Sequence, residues 1–327
     1  MANNLIYKEV IMRNTFKLMS LSAVLISSAG FAGESINKSL ALNDANKVVI
    51  ENQRGQVNIL TSTDNTVSVV GELDDKTEKF IFEQSGAVIS IKVEMPNNQR
   101  NWKNNGDGSH LTIKVPAHVK IGFNGISSNV NIEGFNQGVD IKTISGEIDA
   151  DKLQKHIELT SISGDIESNQ LSGKIQISTV SGNIDDEHSA GRLSVKSVSG
   201  DIESKGSANE VLVETVSGDI DFSLAEIDEL DISTVSGNSN ASFRLNDNGT
   251  VKLSSVSGDF DMNFIKNVSA NFRLKTNSGG SITNKLTDDK AERGKYVPSE
   301  KLRFTTGNGS GSVKASTVSG EIMVRYN

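Results

Sequence analysis

The sequence predicts an all-β fold, a parallel β-solenoid (β-helix) with right-handed coils of about 18–21 residues and an N-terminal cap of strands and hairpins. Three observations support this. The tripeptide Ile/Val-Ser-Gly recurs at a nearly constant interval, apolar positions recur with it, and those positions are mostly β-branched. A fixed period of this length is typical of stacked repeats, and β-branched residues favour strands.

The repeated tripeptide marks one corner in every coil. Its glycines, which we predict to be structural corners, are Gly146, Gly164, Gly182, Gly200, Gly218, Gly237, Gly258 and Gly320. Each step from Gly146 to Gly218 is 18 residues, and the next two steps lengthen to 19 and 21 residues. Because glycine tolerates the positive backbone angles that a tight bend can require, we predict a turn at each of them.

Apolar residues occupy fixed places around each corner. They fall seven, five and two places before the glycine and two places after it, as Ile157, Leu159, Ile162 and Ile166 do around Gly164. A step of two places Ile157 and Leu159 on the inward face of one strand, and the odd step across the glycine to Ile166 indicates a turn. We predict that all four aliphatic residues are buried. Since one coil buries too little apolar surface to fold alone, the coils should stack about 4.8 Å apart and form continuous aliphatic columns.

Two other solenoids do not fit this spacing. The left-handed hexapeptide helix needs an aliphatic residue every six positions, whereas the steps here are two, three and four. The calcium-binding nonapeptide roll needs Gly-Gly-x-Gly-x-Asp in every nine residues, whereas this chain has one regular glycine in eighteen.

The first residues have the pattern of a secretory signal. Arg13 and Lys17 precede an apolar run over residues 18–29, and small residues follow it. We predict a signal peptide over residues 1–32, with Met12 as an alternative true start. The run is too short for a transmembrane helix, and the chain has no cysteine that could carry a lipid anchor. We therefore expect a periplasmic or secreted protein.

Residues 33–327 are predicted to form a single solenoid domain. Its expected parts are an N-terminal cap with irregular coils over 47–138, regular repeats over 139–279, a charged insertion over 280–303 and a C-terminal coil over 304–327. The charged insertion is expected to be an exposed loop or a short helix. The net charge of −8 argues against nucleic acid as a partner.

Several segments together resemble the bacterial DUF4097 family of candidate adhesins. They are the closing run from Gly309 to Ile322, the Ser-Gly-Asp-Ile repeats, the segment from Leu111 to Pro116 and the turn near Gly55. The resemblance covers the mature chain and implies a β-solenoid protein of the cell envelope. It supplies no catalytic residues, and an adhesin role inferred from architecture alone is a hypothesis.

Acidic residues follow the corner glycines by one and three places and flank an inward residue, so they should face solvent in two columns. We call this set the acidic ladder, and its clearest members are Asp165, Glu167, Asp201, Glu203, Asp219 and Asp221. The ladder could bind divalent cations or a basic partner. We favour the alternative, a solvated face that limits aggregation.

A polar loop around the single tryptophan departs from the repeat and is a candidate ligand-contact loop. Its candidate residues are Arg100, Trp102, Lys103 and His110. An exposed aromatic ring can stack on a sugar or a peptide, although a loop that packs back on the solenoid is the more common arrangement.

We predict no catalytic, cofactor-binding or metal-binding residue, since the sequence has no HExxH motif, Walker loop or nucleophile elbow. The favoured function is a non-enzymatic binding scaffold for a polysaccharide or an envelope protein. One alternative is a regulatory partner of a membrane protein in envelope stress. A polysaccharide-active β-helix enzyme is less favoured, because the Asp165 and Glu167 pair is repeated in other coils while a catalytic pair should be singular.

Overall fold

The computed structural model describes residues 33–96 and 106–327, and these residues contain 23 β-strands and no helix. The first twelve strands are β1 Ser35–Ala41, β2 Lys47–Ser62, β3 Thr66–Glu72, β4 Lys79–Ser85, β5 Val88–Glu94, β6 Ser109–Pro116, β7 Lys120–Glu133, β8 Val139–Lys142, β9 Ile148–Asp151, β10 Gln154–Thr160, β11 Ile166–Asn169 and β12 Ser172–Thr179. The others are β13 Ile184–Ser199, β14 Ile202–Ser217, β15 Ile220–Ser236, β16 Ser239–Ser257, β17 Phe260–Phe264, β18 Ala270–Thr276, β19 Ser281–Asn284, β20 Glu292–Arg293, β21 Glu300–Thr305, β22 Gly311–Ser319 and β23 Glu321–Tyr326. In this part of the chain, no helix has the length and apolar character needed to cross a bilayer.

Successive coils stack in parallel and in register. Before the corner, Ile157 of β10 pairs with Val139 of β8 on one side and with Ile175 of β12 on the other. After the corner, Ile166 of β11 pairs with Ile184 of β13. Equivalent residues of neighbouring coils therefore lie one strand spacing apart, which confirms the predicted parallel β-solenoid.

The core contains three of the four predicted aliphatic columns. Ile157, Leu159 and Ile166 are fully buried, but Ile162 is 45% exposed. The prediction that all four aliphatic positions point inward is therefore wrong at the position two places before the glycine. Inward and outward residues stop alternating at the corner, where Ile162 and Ser163 both face solvent.

A hydroxyl residue takes the fourth inward position, three places before each corner glycine. Ser161 is 1% exposed, and its Oγ accepts a hydrogen bond from the backbone N–H of Gly164 at 2.8 Å. The Thr179 hydroxyl accepts the equivalent bond from Gly182 at 2.9 Å. Because a buried N–H without a partner is unfavourable, a Ser or Thr suits this place better than an aliphatic residue.

A second corner lies six residues after the glycine in the regular coils. Lys152, Gln170 and His188 occupy it in successive coils, with φ of 53°, 56° and 57°. These left-handed residues turn the chain out of the strand that follows the glycine. The repeat pattern in the sequence did not predict this second corner.

The N-terminal end is capped by antiparallel strands, as predicted. β2 pairs in parallel with β7 on one side and with β5 and β6 on the other. β1 runs antiparallel to β3, β3 to β6, and β4 to β5. Such strands cover an end that would otherwise expose unpaired backbone groups.

A buried ion pair joins β2 to the loop after β3. Arg54 Nη2 donates to Asp74 Oδ1 at 2.8 Å, and the Asp74 side chain is 1% exposed. Burial raises the pKa of Asp74, but hydrogen bonds from Arg54 and from the Lys76 backbone, with the nearby Arg54 charge, outweigh it and lower this pKa to about 2. The pair is therefore charged and hydrogen-bonded at neutral pH.

At the C-terminal end, the order of coils in space differs from their order in the chain. Val313 of β22 pairs with Val251 of β16 on one side and with Phe272 of β18 on the other. The coil that contains Gly320 is thus inserted between the coil of Gly258 and β18. β21 then runs antiparallel to β18.

The predicted charged insertion is partly solenoid. Ser281–Asn284, the strand β19, pairs in parallel with β23 and continues the stack. Asp288, Asp289 and Lys290 are exposed, and Glu292–Arg293 forms the short strand β20. No helix is present between residues 280 and 303, so the short-helix alternative is wrong.

Phenylalanine rings fill the core beneath the last coils. Phe243 and Phe264 meet edge to face with ring centroids 5.1 Å apart, and Phe264 and Phe272 do so at 5.7 Å. Phe272 stacks on Phe304 of β21 at 4.4 Å. These contacts join β16, β17, β18 and β21 across the inserted coil.

Candidate binding surface along the glycine corner

A row of exposed aliphatic side chains follows the glycine corner along the solenoid. We call it the corner row, and it consists of Ile126, Ile144, Ile162, Val180, Val198, Val216, Val235, Val256 and Val318. Each of these residues stands two places before the corner glycine or its equivalent, and each is 39–52% exposed. The residue that follows each of them is an exposed serine. Each coil thus contributes one apolar and one hydroxyl group to this ridge.

Backbone hydrogen bonds align the corner row. The N–H of Ser163 donates to the carbonyl of Ile144 at 2.8 Å, and the N–H of Ser199 donates to the carbonyl of Val180 at 2.8 Å. In the later coils Ser199 pairs in register with Ser217, which continues the alignment. Eight steps of about 4.8 Å give a line roughly 38 Å long. The row is therefore a straight, regularly spaced apolar surface.

The corner glycines allow the coils to approach at the ridge. A Cβ atom on Gly182 would lie 2.1 Å from the carbonyl oxygen of Gly164, and a Cβ on Gly218 would lie 2.2 Å from that of Gly200. The φ of Gly218 is +133°, whereas the φ of Gly182 lies outside the left-handed region. Close stacking therefore requires glycine even where the turn itself does not.

The first column of the acidic ladder accepts backbone hydrogen bonds. Asp165 Oδ1 accepts the N–H of Asn183 at 2.7 Å, and Asp201 Oδ1 accepts the N–H of Asp219 at 2.9 Å. Asn183 Oδ1 accepts the N–H of Asp201 at 3.0 Å, and Asp219 Oδ1 that of Asn238 at 2.7 Å. These side chains join each coil to the next, which explains why Asp and Asn both occur directly after the glycine.

The second column brings carboxylates close together. Glu167 lies in register between Asp149 and Asp185. Burial raises the pKa of Asp149. Burial also raises the pKa of Asp185, and the neighbouring carboxylates, Glu203 among them, raise it further. Burial and neighbouring like charges thus disfavour the charged form of Asp185.

Further along the second column, the carboxylates have partners. Glu203 forms an ion pair with Lys205, and Asp221 Oδ1 accepts a hydrogen bond from the amide of Asn240 at 3.1 Å. Over residues 33–96 and 106–327, no three His, Asp or Glu side chains converge in a group that could hold a metal ion. The geometry of the ladder is that of a hydrogen-bonded, solvated face.

One buried carboxylate, Asp186, was not predicted from the sequence. Asp186 is 1% exposed, and it occupies the inward position that is serine in the coils on both sides. Its oxygens accept hydrogen bonds from the hydroxyls of Ser168 at 2.6 Å, Ser189 at 2.5 Å and Ser204 at 2.9 Å. Burial raises the pKa of Asp186 although these bonds lower it. An acid at a position that is serine in both neighbouring coils was the available sequence signal.

The raised pKa of Asp186 predicts a loss of stability with increasing pH. Below the unfolded-state pKa of about 3.9 both states are protonated and no penalty exists, whereas above the folded-state pKa the penalty is complete. We therefore expect Asp186→Asn to gain in melting temperature relative to the parent as pH rises from about 3.5 to 8. Thermal unfolding followed by circular dichroism across this range measures the difference.

Asp201→Asn is the matched control for this experiment, because Asn183 and Asn238 already serve in its column. Its melting temperature should follow that of the parent across the pH range. A constant difference between Asp186→Asn and the parent at every pH would contradict the assignment of Asp186 as a group destabilised by its charge.

The candidate ligand-contact loop is only partly described. Arg100, Trp102 and Lys103 lie outside the described residues. His110 is exposed on β6, where it pairs in register with Gln56 of β2 and Glu72 of β3. A ligand contact by this loop stays a prediction.

Comparisons with known proteins give one family and several distant structures. The family model described as Toastrack DUF4097 matches residues 45–325. A candidate cell adhesion protein from Clostridium sporogenes is 12% identical with a TM-score of 0.28, and the alignment covers 90% of this chain and 100% of that one. Candidate adhesins from Bacteroides fragilis and Parabacteroides distasonis are 15% and 14% identical with TM-scores of 0.32 and 0.30, covering 89% and 90% of this chain and 97% and 98% of theirs. No curated protein matches.

Proposed function

The chain belongs to the Toastrack DUF4097 family, and from that premise we propose that it is a non-enzymatic binding scaffold of the bacterial cell envelope, secreted or periplasmic, whose corner row contacts a protein partner. The corner row is the observation that carries this proposal. A soluble protein rarely exposes a long contiguous apolar surface unless another molecule covers it. The family resemblance and the signal-like segment in the sequence support the envelope location.

The shape of the corner row suits a protein partner. Its Ile and Val side chains are β-branched and lose little rotamer freedom on binding. Aliphatic groups about 4.8 Å apart match the spacing between the strands of another β-structure. The exposed serines beside them can hydrogen-bond to a partner at the rim.

The acidic ladder supports a non-enzymatic role. Asp165, Asp201 and Asp219 each accept a backbone N–H of the next coil, so their oxygens have a structural use. General acid–base catalysis needs carboxylates whose environments differ from one another. The first column of the ladder instead repeats one environment from coil to coil.

A paired substitution tests the proposal. Val198→Ser with Val216→Ser removes two adjacent aliphatic groups from the middle of the row, where both residues are close to half exposed. We expect the affinity for the envelope protein retained by the parent to fall at least about tenfold, because central apolar contacts dominate interface energies. Retention from an envelope extract, followed by titration of the purified partner, provides the measurement.

Leu212→Ser is the matched control. Leu212 is an exposed aliphatic residue, at 37%, that lies outside the corner row. The control should keep the partner, and both variants should melt within a few degrees of the parent, because surface substitutions change stability little. Equal retention by the paired variant and the parent would show that the row is not the contact surface.

A further inference from the structure

The last coils carry a dense group of exposed cations on one outer face. We call it the basic patch, and it consists of Lys252, Arg273, Lys275, Lys301, Arg303 and Lys314. Arg273 faces Arg303 directly across the antiparallel strands β18 and β21. Lys275 faces Lys301 two residues further along. Lys314 of β22 lies beside Arg273 on the other side. The patch therefore extends over four adjacent strands, β16, β22, β18 and β21.

The basic patch differs from the other charged surfaces of the solenoid. In several other coils an exposed cation pairs with a carboxylate of a neighbouring coil, as Lys196 does with Glu214 at 2.7 Å. Within the patch, Lys252 follows the same rule and pairs with Asp231 at 2.8 Å. The remaining five cations form no ion pair with any residue of the described ranges. Their charge is available to an external anion.

The arrangement is unfavourable for the isolated protein. Like charges placed directly opposite each other in an antiparallel pair destabilise it, and the patch contains two such pairs, Arg273 with Arg303 and Lys275 with Lys301. The patch is positively charged although the chain as a whole has a net charge of −8. Glu292 of β20 pairs with Lys301 of β21, and together with Asp289 it borders the patch on one side. An anion bound between the two pairs would remove the repulsion.

We propose that the basic patch binds an anionic polysaccharide through the carboxylate or phosphate groups of its repeating units. Arg273, Lys275, Lys301 and Arg303 line one shallow depression between β18 and β21. Arginine presents a planar fork of donors that suits both carboxylate and phosphate. The cations are spaced by about 4.8 Å across the strands and by about 6.8 Å along them, a regular array that successive units of one polymer strand can contact.

Two other anionic partners fit the patch less well. Single-stranded nucleic acid binds on aromatic rings that stack with its bases, and the patch contains no aromatic residue. A bilayer or a nucleic-acid duplex presents an extended anionic surface, which the acidic remainder of this protein repels. A narrow flexible polymer can contact the patch alone. This site is separate from the corner row, so the proposal does not depend on the protein partner.

Binding of defined polymers by the full chain tests the proposal. Alginate provides carboxylates, a phosphorylated mannan provides phosphates, and dextran is the uncharged control. The parent should bind alginate or the phosphorylated mannan at low ionic strength, more weakly at physiological ionic strength, and dextran not at all. Arg273→Gln with Arg303→Gln should lower the affinity about tenfold or more, because two charge-assisted contacts are lost. Biolayer interferometry on immobilised polymer measures the affinity of the parent and of the double variant.

The control is Arg192→Gln with Lys196→Gln, which removes the same charge from cations that are paired with Glu210 and Glu214. It should change the affinity by less than about twofold, since these cations are already neutralised. The patch variant should melt no lower than the parent, because a repulsion has been removed. Absence of binding to both anionic polymers, an equal loss in the control, or tighter binding of phosphatidylglycerol vesicles or single-stranded DNA would each overturn the proposal.

Discussion

Ile166→Asp is expected to lower the free energy of unfolding by roughly 3–5 kcal/mol, whereas Ile162→Asp should lower it by less than about 1 kcal/mol. The two isoleucines are in the same coil and flank the same corner glycine. Ile166 is fully buried between Ile148 and Ile184 of the neighbouring coils, so an aspartate there would be an unpaired charge in an aliphatic column. Ile162 is 45% exposed and an aspartate there stays hydrated.

Urea denaturation of the two variants and the parent measures both effects. Because the substitution is identical, the change in residue type and in net charge cancels between them. Similar losses at Ile162 and Ile166 would mean that the corner row is buried after all. A small decrease in the free energy of unfolding for Ile166→Asp would contradict the inward orientation of the column after the glycine.

Gly182→Ala is expected to lower the free energy of unfolding by about 3 kcal/mol or more, a large effect for one methyl group. The added Cβ would lie 2.1 Å from the carbonyl oxygen of Gly164, which is backbone and cannot rotate away. Relief of the contact requires the two coils to separate at the ridge, where the N–H of Ser181 donates to the carbonyl of Ile162 at 2.9 Å. The expected loss of stability comes from the close stacking of the coils and not from the turn geometry, since the φ of Gly182 is outside the left-handed region.

Gly279→Ala is the control that separates a stacking clash from backbone strain in a turn. Gly279 has a left-handed φ of +84° and no atom within 4 Å of the added Cβ, so only backbone strain of about 1–2 kcal/mol is expected there. Thermal and urea unfolding of both variants give the comparison. A smaller loss at Gly182 than at Gly279 would mean that the coils can slide apart without penalty.

The repeat pattern was sufficient to predict much of the fold. A period of 18 residues with apolar steps of two requires strands, and such short coils can bury their apolar residues only against identical neighbours. The columns of Ile157, Leu159 and Ile166 follow from that argument. The outward position of Ile162 does not, because hydrophobicity alone cannot show where alternation breaks. The Ser or Thr before it, which accepts the glycine N–H, was the signal for the break.

For the candidate surfaces, the sequence alone determined which residues recur, and therefore which side chains form columns once the coils stack. It could not determine the order of the final coils. The coil of Gly320 lies between the coil of Gly258 and β18 because backbone pairing depends on proximity in space and not on chain order. That insertion, with the antiparallel return of β21, brings Lys314, Arg273 and Arg303 side by side from three separate segments. The tertiary structure alone creates the basic patch, since charges far apart in the chain become neighbours only through strand pairing.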